Sequence, residues 1–184
     1  MRPSSPAASS FRVLGSTIDD AAGEAFDKGA RMLGLPYPGG PAIDALARQG
    51  DPEAYRFPIA RVGGLDFSFS GVKTALLYAV RGLDPIELEL RRADLAAAYQ
   101  RAIVGALVER TLLAAESHGH GRVAIVGGVA ANSALRAALP DAVAAPLELC
   151  TDNAAMIASA ARHLEAISYP GYLALDAVAS TGAA

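Results

Sequence analysis

Arg122-Val-Ala-Ile-Val126, then Gly127-Gly128, then Val129-Ala-Ala-Asn132-Ser-Ala-Leu-Arg-Ala-Ala-Leu139 is the stretch that decides the fold class. Its opening is a compact apolar run of strand length, which predicts a buried parallel strand. The glycine pair breaks that strand, and a helix is expected through Asn132 to Leu139. Downstream the alternation repeats. Leu147-Glu-Leu-Cys150 reads as a second short strand, Thr151-Asp152-Asn153 as a turn, and Ala154 to Glu165 as a helix. Upstream, Asp84-Pro85-Ile86-Glu87 has a cap, a proline at the first helical position and a glutamate at the third. A long helix is expected from there to about Ser117, with Leu95, Tyr99, Ile103, Leu107 and Leu113 as its apolar stripe. Helices alternating with apolar strands define an α/β chain.

The N-terminal half is more irregular. Phe11-Arg-Val-Leu14 suits a strand, and Thr17 is a candidate N-cap for a helix from Asp20 to Leu33, with Gly34 as its C′ residue. Leu35-Pro-Tyr-Pro-Gly-Gly-Pro41 is too rich in proline and glycine for regular structure, so Pro41 is expected to start a short helix closing at Gly50. Residues 51–64 read as loop. Leu65-Asp-Phe-Ser-Phe-Ser70 alternates like a strand with Phe67 and Phe69 on one face, and Val72 to Val80 looks helical.

Composition narrows the function classes. The 184 residues are 52% hydrophobic and 19% charged, which excludes disorder along the whole length. A net charge of −3 argues against a free-standing basic nucleic-acid binder, while leaving room for RNA held by a local patch or a partner subunit. The single cysteine, Cys150, rules out an internal disulfide and suits a reducing cytoplasm. Charged residues interrupt every long apolar run, so no membrane span is expected, and residues 1–10 read as a loose tail without signal-peptide character. A soluble cytoplasmic protein is expected.

Four polar constellations stand out. Asp20, Glu24 and Asp27 at i, i+4 and i+7 put three carboxylates on one helix face, which is a solvated face unless the small neighbours Ala21, Ala22 and Gly23 admit a ligand. Pro38-Gly39-Gly40-Pro41 is a rigid turn with exposed backbone N–H groups. Val126-Gly127-Gly128 before a helix containing Asn132 brings bare amides and a helix N-terminus to one point, which suits a nucleotide as well as it suits tight packing. Asp152, after Cys150-Thr151, is either a helix cap or a hard oxygen ligand for a metal. Weaker candidates are Ser68, Ser70 and Lys73 as a phosphate site or as strand-end polarity, and His118 and His120 at a helix exit.

Ile18 to Lys28, Leu33 to Pro41, Leu65 to Thr74, Gly127 to Asn132 and Cys150 to Ile157 occur in this order in one family. The chain resembles the C-terminal part of the bacterial tRNA N6-adenosine threonylcarbamoyltransferases, the TsaD family, over roughly residues 11–165. The resemblance implies part of an actin-like/sugar-kinase ATPase fold: the second RNase H-like lobe with a helical insertion, the N-terminal lobe missing. On that scheme residues 11–84 are a strand plus the insertion with its substrate-binding motifs, 85–168 the RNase H-like core, and 169–184 a loose tail. It also implies transfer of a threonylcarbamoyl group from threonylcarbamoyl-AMP, the adenylate-type substrate, to N6 of adenosine 37 in tRNA. By resemblance Asp27, Gly40 and Asn132 match substrate-binding positions, and Asp152 matches a ligand of a divalent metal, iron or zinc, acting as a Lewis acid. Implied partners are tRNA, a catalytically inactive paralogue and a small ATPase.

The sequence departs from the family in having no His-x-Glu-x-His motif for the other metal ligands, no first phosphate loop and no Ser-Gly-Gly-His substrate loop. Phe11–Leu14 would then be a strand without its neighbours. An enzyme fragment that works when joined to its missing N-terminal half, and is inactive alone, is therefore the expectation. The alternative is a non-catalytic, paralogue-like binding module that pairs with a full-length enzyme, which the retained Asp27, Gly40, Asn132 and Asp152 argue against. The older endopeptidase label of this family ranks last, since no residue supplies a peptidase base or nucleophile.

Overall fold

The computed structural model describes residues 12–60, 62–163 and 166–175. The expected tail at residues 1–10 lies outside them, as do Phe11, Glu165 and residues 176–184. Among the described residues there are six α-helices: α1 (Ala22–Met32), α2 (Gly39–Ala47), α3 (Ser70–Arg81), α4 (Pro85–Ser117), α5 (Ser133–Ala138) and α6 (Asn153–Ala161). Two short strands, β1 (Ala124–Ile125) and β2 (Val143–Ala144), pair in parallel with Ala124 opposite Val143 and Ile125 opposite Ala144.

The spine is α4. Its 33 residues extend about 50 Å at the usual helical rise. Asp84 accepts from the N–H groups of Ile86 and Glu87, both at 2.8 Å, and the Glu87 carboxylate accepts from the Asp84 N–H, so the expected start is realised as a full capping box. Leu95, Tyr99 and Ile103 of the stripe are fully buried. Each such burial stabilises the fold by about 1.5–3 kcal/mol. The stripe then fades: Leu107 is half-buried, and Leu113 is 41% exposed.

Three helices pack on this spine. α1 and α2 lie against it and against one another, and α3 packs on α1 and α4. Phe26, Leu33, Ile43, Phe69 and Leu76 from these elements close the core. α1 approaches closely at Tyr99, whose hydroxyl donates to the Ala25 carbonyl at 2.7 Å. A side chain at Gly29 would come within 2.3 Å of the Tyr99 ring, so α1 needs glycine there. Residues 51–64 are loop as expected, fastened to α4 by Asp94, which accepts from the Asp51 N–H, and by Arg110, which donates to the Val62 and Gly64 carbonyls.

Several expectations are corrected. Among the described residues, 12–14 join no ladder; an isolated parallel bridge follows them, between Thr17 and Phe67. Extended sequence becomes a strand only where a neighbour supplies hydrogen bonds. For the same reason Leu65–Ser70 is not a strand, although its Phe67 and Phe69 rings do stack, 6.1 Å apart. Thr17 does not cap α1; its hydroxyl donates to the Asp20 carbonyl at 2.6 Å, and α1 starts after Ala21. α2 begins at Gly39, two residues before Pro41.

Leu147–Leu149 is a 3₁₀ turn, and the second strand lies earlier, at Val143–Ala144. There Arg136 draws off the Ala145 carbonyl at 2.7 Å and Pro146 follows with no N–H, so the ladder cannot continue. Gly34, with φ +69°, follows α1 as anticipated. The helix after Asp152 ends at Ala161, and beyond Pro170 a 3₁₀ turn spans Gly171–Ala174.

The Tyr99 hydroxyl is the one polar link buried between the spine and α1. Tyr99→Phe keeps the ring on Gly29 and leaves the Ala25 carbonyl short of its donor. A loss of about 1 kcal/mol is expected, read as a lower urea midpoint with unchanged slope.

Candidate functional site

A cleft of about 570 Å³ opens where α1, α2 and the glycine corner after β1 meet. Asp27, Gly40 and Asn132, far apart in sequence, all line it. Asp152 does not; its neighbour Thr151 reaches the rim.

Asp27 sits on α1 and faces the start of α2. Its Oδ1 accepts from the Gly39 N–H at 2.8 Å, which caps a helix whose own N-cap residue, Pro38, has no side-chain acceptor. A Cβ at Gly39 would lie 2.6 Å from the Asp27 Cα, so that glycine is demanded by packing. Gly40 differs. A Cβ there would meet nothing within 4 Å, and its φ is ordinary, so neither sterics nor conformation requires glycine. The space it leaves belongs to the cleft.

Gly127, at φ +82°, turns the chain out of β1. It leads into a 3₁₀ turn at Gly128–Ala131 before α5, so the glycine pair does not open directly onto the expected helix. Asn132 is the N-cap of α5, its Oδ1 accepting from the Leu135 N–H at 3.0 Å. Its Nδ2 donates to Gln100 Oε1 at 2.7 Å.

Asp152 caps α6, accepting from the Ala155 N–H at 2.9 Å, and is exposed. One of the two outcomes foreseen for it, the cap, is therefore realised. Among the described residues no three His, Cys, Asp or Glu side chains converge as a metal site. The described side chains do not by themselves fit a divalent ion.

The acidic trio does not act as a unit. Asp20 lies before α1 and is bridged by Lys28, at 2.7 Å, and by Lys73; Glu24 also pairs with Lys28 at 2.7 Å. Hydrogen bonds from Lys28 and then Lys73 hold the Asp20 carboxyl below its usual range, and the same contact with Asp20 raises the Lys28 ammonium. Ser68, Ser70 and Lys73 are likewise engaged by carboxylates of the same chain. Ser68 Oγ and the N–H of Phe69 donate to Asp19, and Lys73 donates to Asp20, so this cluster ties the start of α3 to the segment before α1. His118 Nδ1 lies 3.0 Å from the Ala114 carbonyl, the helix-exit role anticipated for it. Cys150 is buried beside Arg136.

Sequence reading missed three cleft residues. Asp44 is buried, with Oδ1 accepting from Ser133 Oγ at 2.7 Å and Oδ2 from Arg48 Nη2 at 2.8 Å. Asp44 and Arg48 stand at i, i+4 on α2, a spacing that signals a pair. Tyr37 lines the rim and is 85% exposed. Two carboxylates, one carboxamide, an aromatic rim and a lone arginine make a wall that accepts hydroxyl donors and offers little to a free polyanion.

Asp19 predicts an acid response. Burial works upward on its carboxyl but is outweighed by donors from Ser68, Phe69 and Ser70, which lower it from 3.8 to about 2. Folding favours the ionised form, so this contribution is complete above 3.8 and is lost as pH falls through about 2. Asp19→Asn should flatten the fall in stability across that window, followed by circular dichroism during acid titration; an unchanged profile would assign the acid sensitivity elsewhere.

Comparison with known proteins gives a consistent result. The TsaD family model, tRNA N6-adenosine threonylcarbamoyltransferase, matches residues 5–159. A curated protein of that name from Anaeromyxobacter dehalogenans is 57% identical over 164 residues, covering 83% of this chain and 49% of its own. One from Symbiobacterium thermophilum is 51% identical over 181 residues, covering 94% of this chain and 53% of its own. Another, from Christiangramia forsetii, is 50% identical over 164 residues. The chain thus spans about half the length of the curated relatives it matches. With motifs, α/β architecture and sequence identity agreeing over most of its length, the chain belongs to the TsaD family.

Proposed function

We propose that this chain forms the nucleoside-binding part of a tRNA N6-adenosine threonylcarbamoyltransferase. The observation that supports it is the convergence of Asp27, Gly40 and Asn132 on one cleft in a chain of this family. The cleft is of the size that takes a small ligand. The carboxylates of Asp27 and Asp44 suit ribose hydroxyls, and the bare Gly40 lets a ring or sugar approach the backbone. The substrate would be threonylcarbamoyl-AMP. In the reaction N6 of adenosine 37 in tRNA attacks the carbamoyl carbon, the bond from that carbon to the AMP phosphate oxygen breaks, and N6 loses a proton. This chain's residues hold the adenylate while the bond breaks; orientation of this kind lowers the barrier by avoiding a bimolecular encounter.

The wider fold in this reading is one lobe of an actin-like pair, and the partners are tRNA, an inactive paralogue and a small ATPase. A divalent metal, iron or zinc, would supply Lewis-acid stabilisation of the leaving phosphate. Asp152 is the one ligand assigned to it here. The remaining ligands would come from the other half of a complete enzyme, so no step is derived through the metal.

The chain alone should bind AMP in calorimetric titration. Gly40→Val should weaken that binding at least about tenfold, by filling the cleft, with little change in thermal stability because the side chain meets open space. The chain alone should modify no tRNA, and activity should appear when the N-terminal half of a relative is added. Absence of AMP binding by the wild-type chain would overturn the nucleoside assignment. Modification by the chain alone would overturn the division between halves.

A further inference from the structure

Gln100 lies on α4 and takes no direct part in the cleft wall described above. It is 6% exposed, and its buried neighbours one turn away on α4 are the apolar Ala96, Ala97, Ile103 and Val104. A lone amide in such surroundings costs stability unless its polar atoms are paired. Its Oε1 accepts from Asn132 Nδ2 at 2.7 Å, between side chains 32 positions apart in sequence.

The polarity of this pair is set from the backbone. A carboxamide presents an acceptor on one side and two donors on the other, and the two ends are interchangeable unless a neighbour distinguishes them. Here the distinguishing neighbour is the Leu135 N–H, which can only donate, so Asn132 must turn Oδ1 toward it. That turns Nδ2 toward α4, where only an acceptor is tolerated. Gln100 supplies Oε1 in response. Without Gln100 the buried Nδ2 has no partner on this side, and the amide is held at one end only.

We infer that Gln100 is a positioning residue that fixes the Asn132 carboxamide in one orientation, so that the cleft always meets the same Asn132 donor and acceptor. One N–H of Nδ2 goes to Gln100, which leaves the second for a ligand. The ligand group beside Nδ2 must then be a hydrogen-bond acceptor: a ring nitrogen, a ribose oxygen or an acyl carbonyl. This deepens the nucleoside reading of the cleft and rests on it for the ligand, but not for the coupling between the two amides.

The test uses the 184-residue chain labelled with ¹⁵N. The Asn132 side-chain NH₂ pair, identified by its loss in Asn132→Asp, should exchange slowly with solvent. In Gln100→Leu it should shift and exchange faster, and AMP affinity should fall about tenfold, the effect of one well-made hydrogen bond. Gln100→Glu retains an acceptor oxygen and should restore both readings. Val72→Ala, a core change on α3 away from the cleft, controls for general destabilisation and should move neither. If the Asn132 pair and AMP affinity in Gln100→Leu match the wild type, the positioning role is overturned. It is also overturned if Val72→Ala produces the same changes. If the wild-type chain binds no AMP, the nucleoside reading fails, and the NH₂ pair alone decides: a shift in Gln100→Leu that Gln100→Glu reverses upholds the role, and no shift overturns it.

Discussion

Everything at the cleft depends on how closely α1 approaches α4, and that approach is set by Tyr99 seated on Gly29. The ring occupies the space a side chain at Gly29 would take, and the hydroxyl satisfies the Ala25 carbonyl at 2.7 Å. Burial pushes the Tyr99 phenol well above its usual range, so it is a permanent donor. Asp27 is two residues from Ala25, and Gln100 is the next residue after Tyr99. One turn of α4 therefore fixes the α1 wall through Tyr99 and the opposite wall through Gln100 and Asn132.

The cleft is assembled from side chains with structural duties of their own. Asp27 caps α2, Asn132 caps α5, and Asp44 holds Ser133 against α2. A carboxylate or carboxamide that satisfies a backbone donor with one atom keeps further acceptor or donor capacity for a ligand. Such double use ties the shape of the cleft to the packing of the helices. It also explains why Gly39 and Gly40 are different residues in physical terms: the first is forced by contact with Asp27, the second leaves room.

The region around β1, β2 and α6, beside the cleft, is less covered. β1 and β2 are two residues each, and Val126 and Val143 are 76% and 58% exposed. Leu147, Leu149 and Ile157 add apolar surface around α6. A two-stranded ladder of this size has little stability of its own. In a chain spanning about half the length of its relatives, this surface is where further sheet and a second lobe would pack in the proposed whole enzyme.

Local chemistry was legible without a structure. Asp84, Pro85 and Glu87 marked the start of α4, Gly34 followed α1, and Asp152 was read as a possible cap, because each depends on hydrogen bonds within a few residues. Family motifs singled out Asp27, Gly40 and Asn132, and the cleft brings those three to one place. What failed needed partners distant in the chain. Residues 12–14, Leu65–Ser70 and Leu147–Cys150 have strand character but, among the described residues, no ladder to join. The acidic trio was read as one face, yet Asp20 is claimed by Lys73, 53 positions away. Asp44 escaped notice because its hydrogen-bond donor Ser133 is 89 positions away, and Gln100 because its acceptor matters only opposite Asn132. By itself the sequence determined the approximate positions of the helices, the caps of α4 and α6, and the family. The tertiary structure alone decided which polar groups face the cleft and which neutralise one another, because that depends on distances between segments that no local pattern encodes.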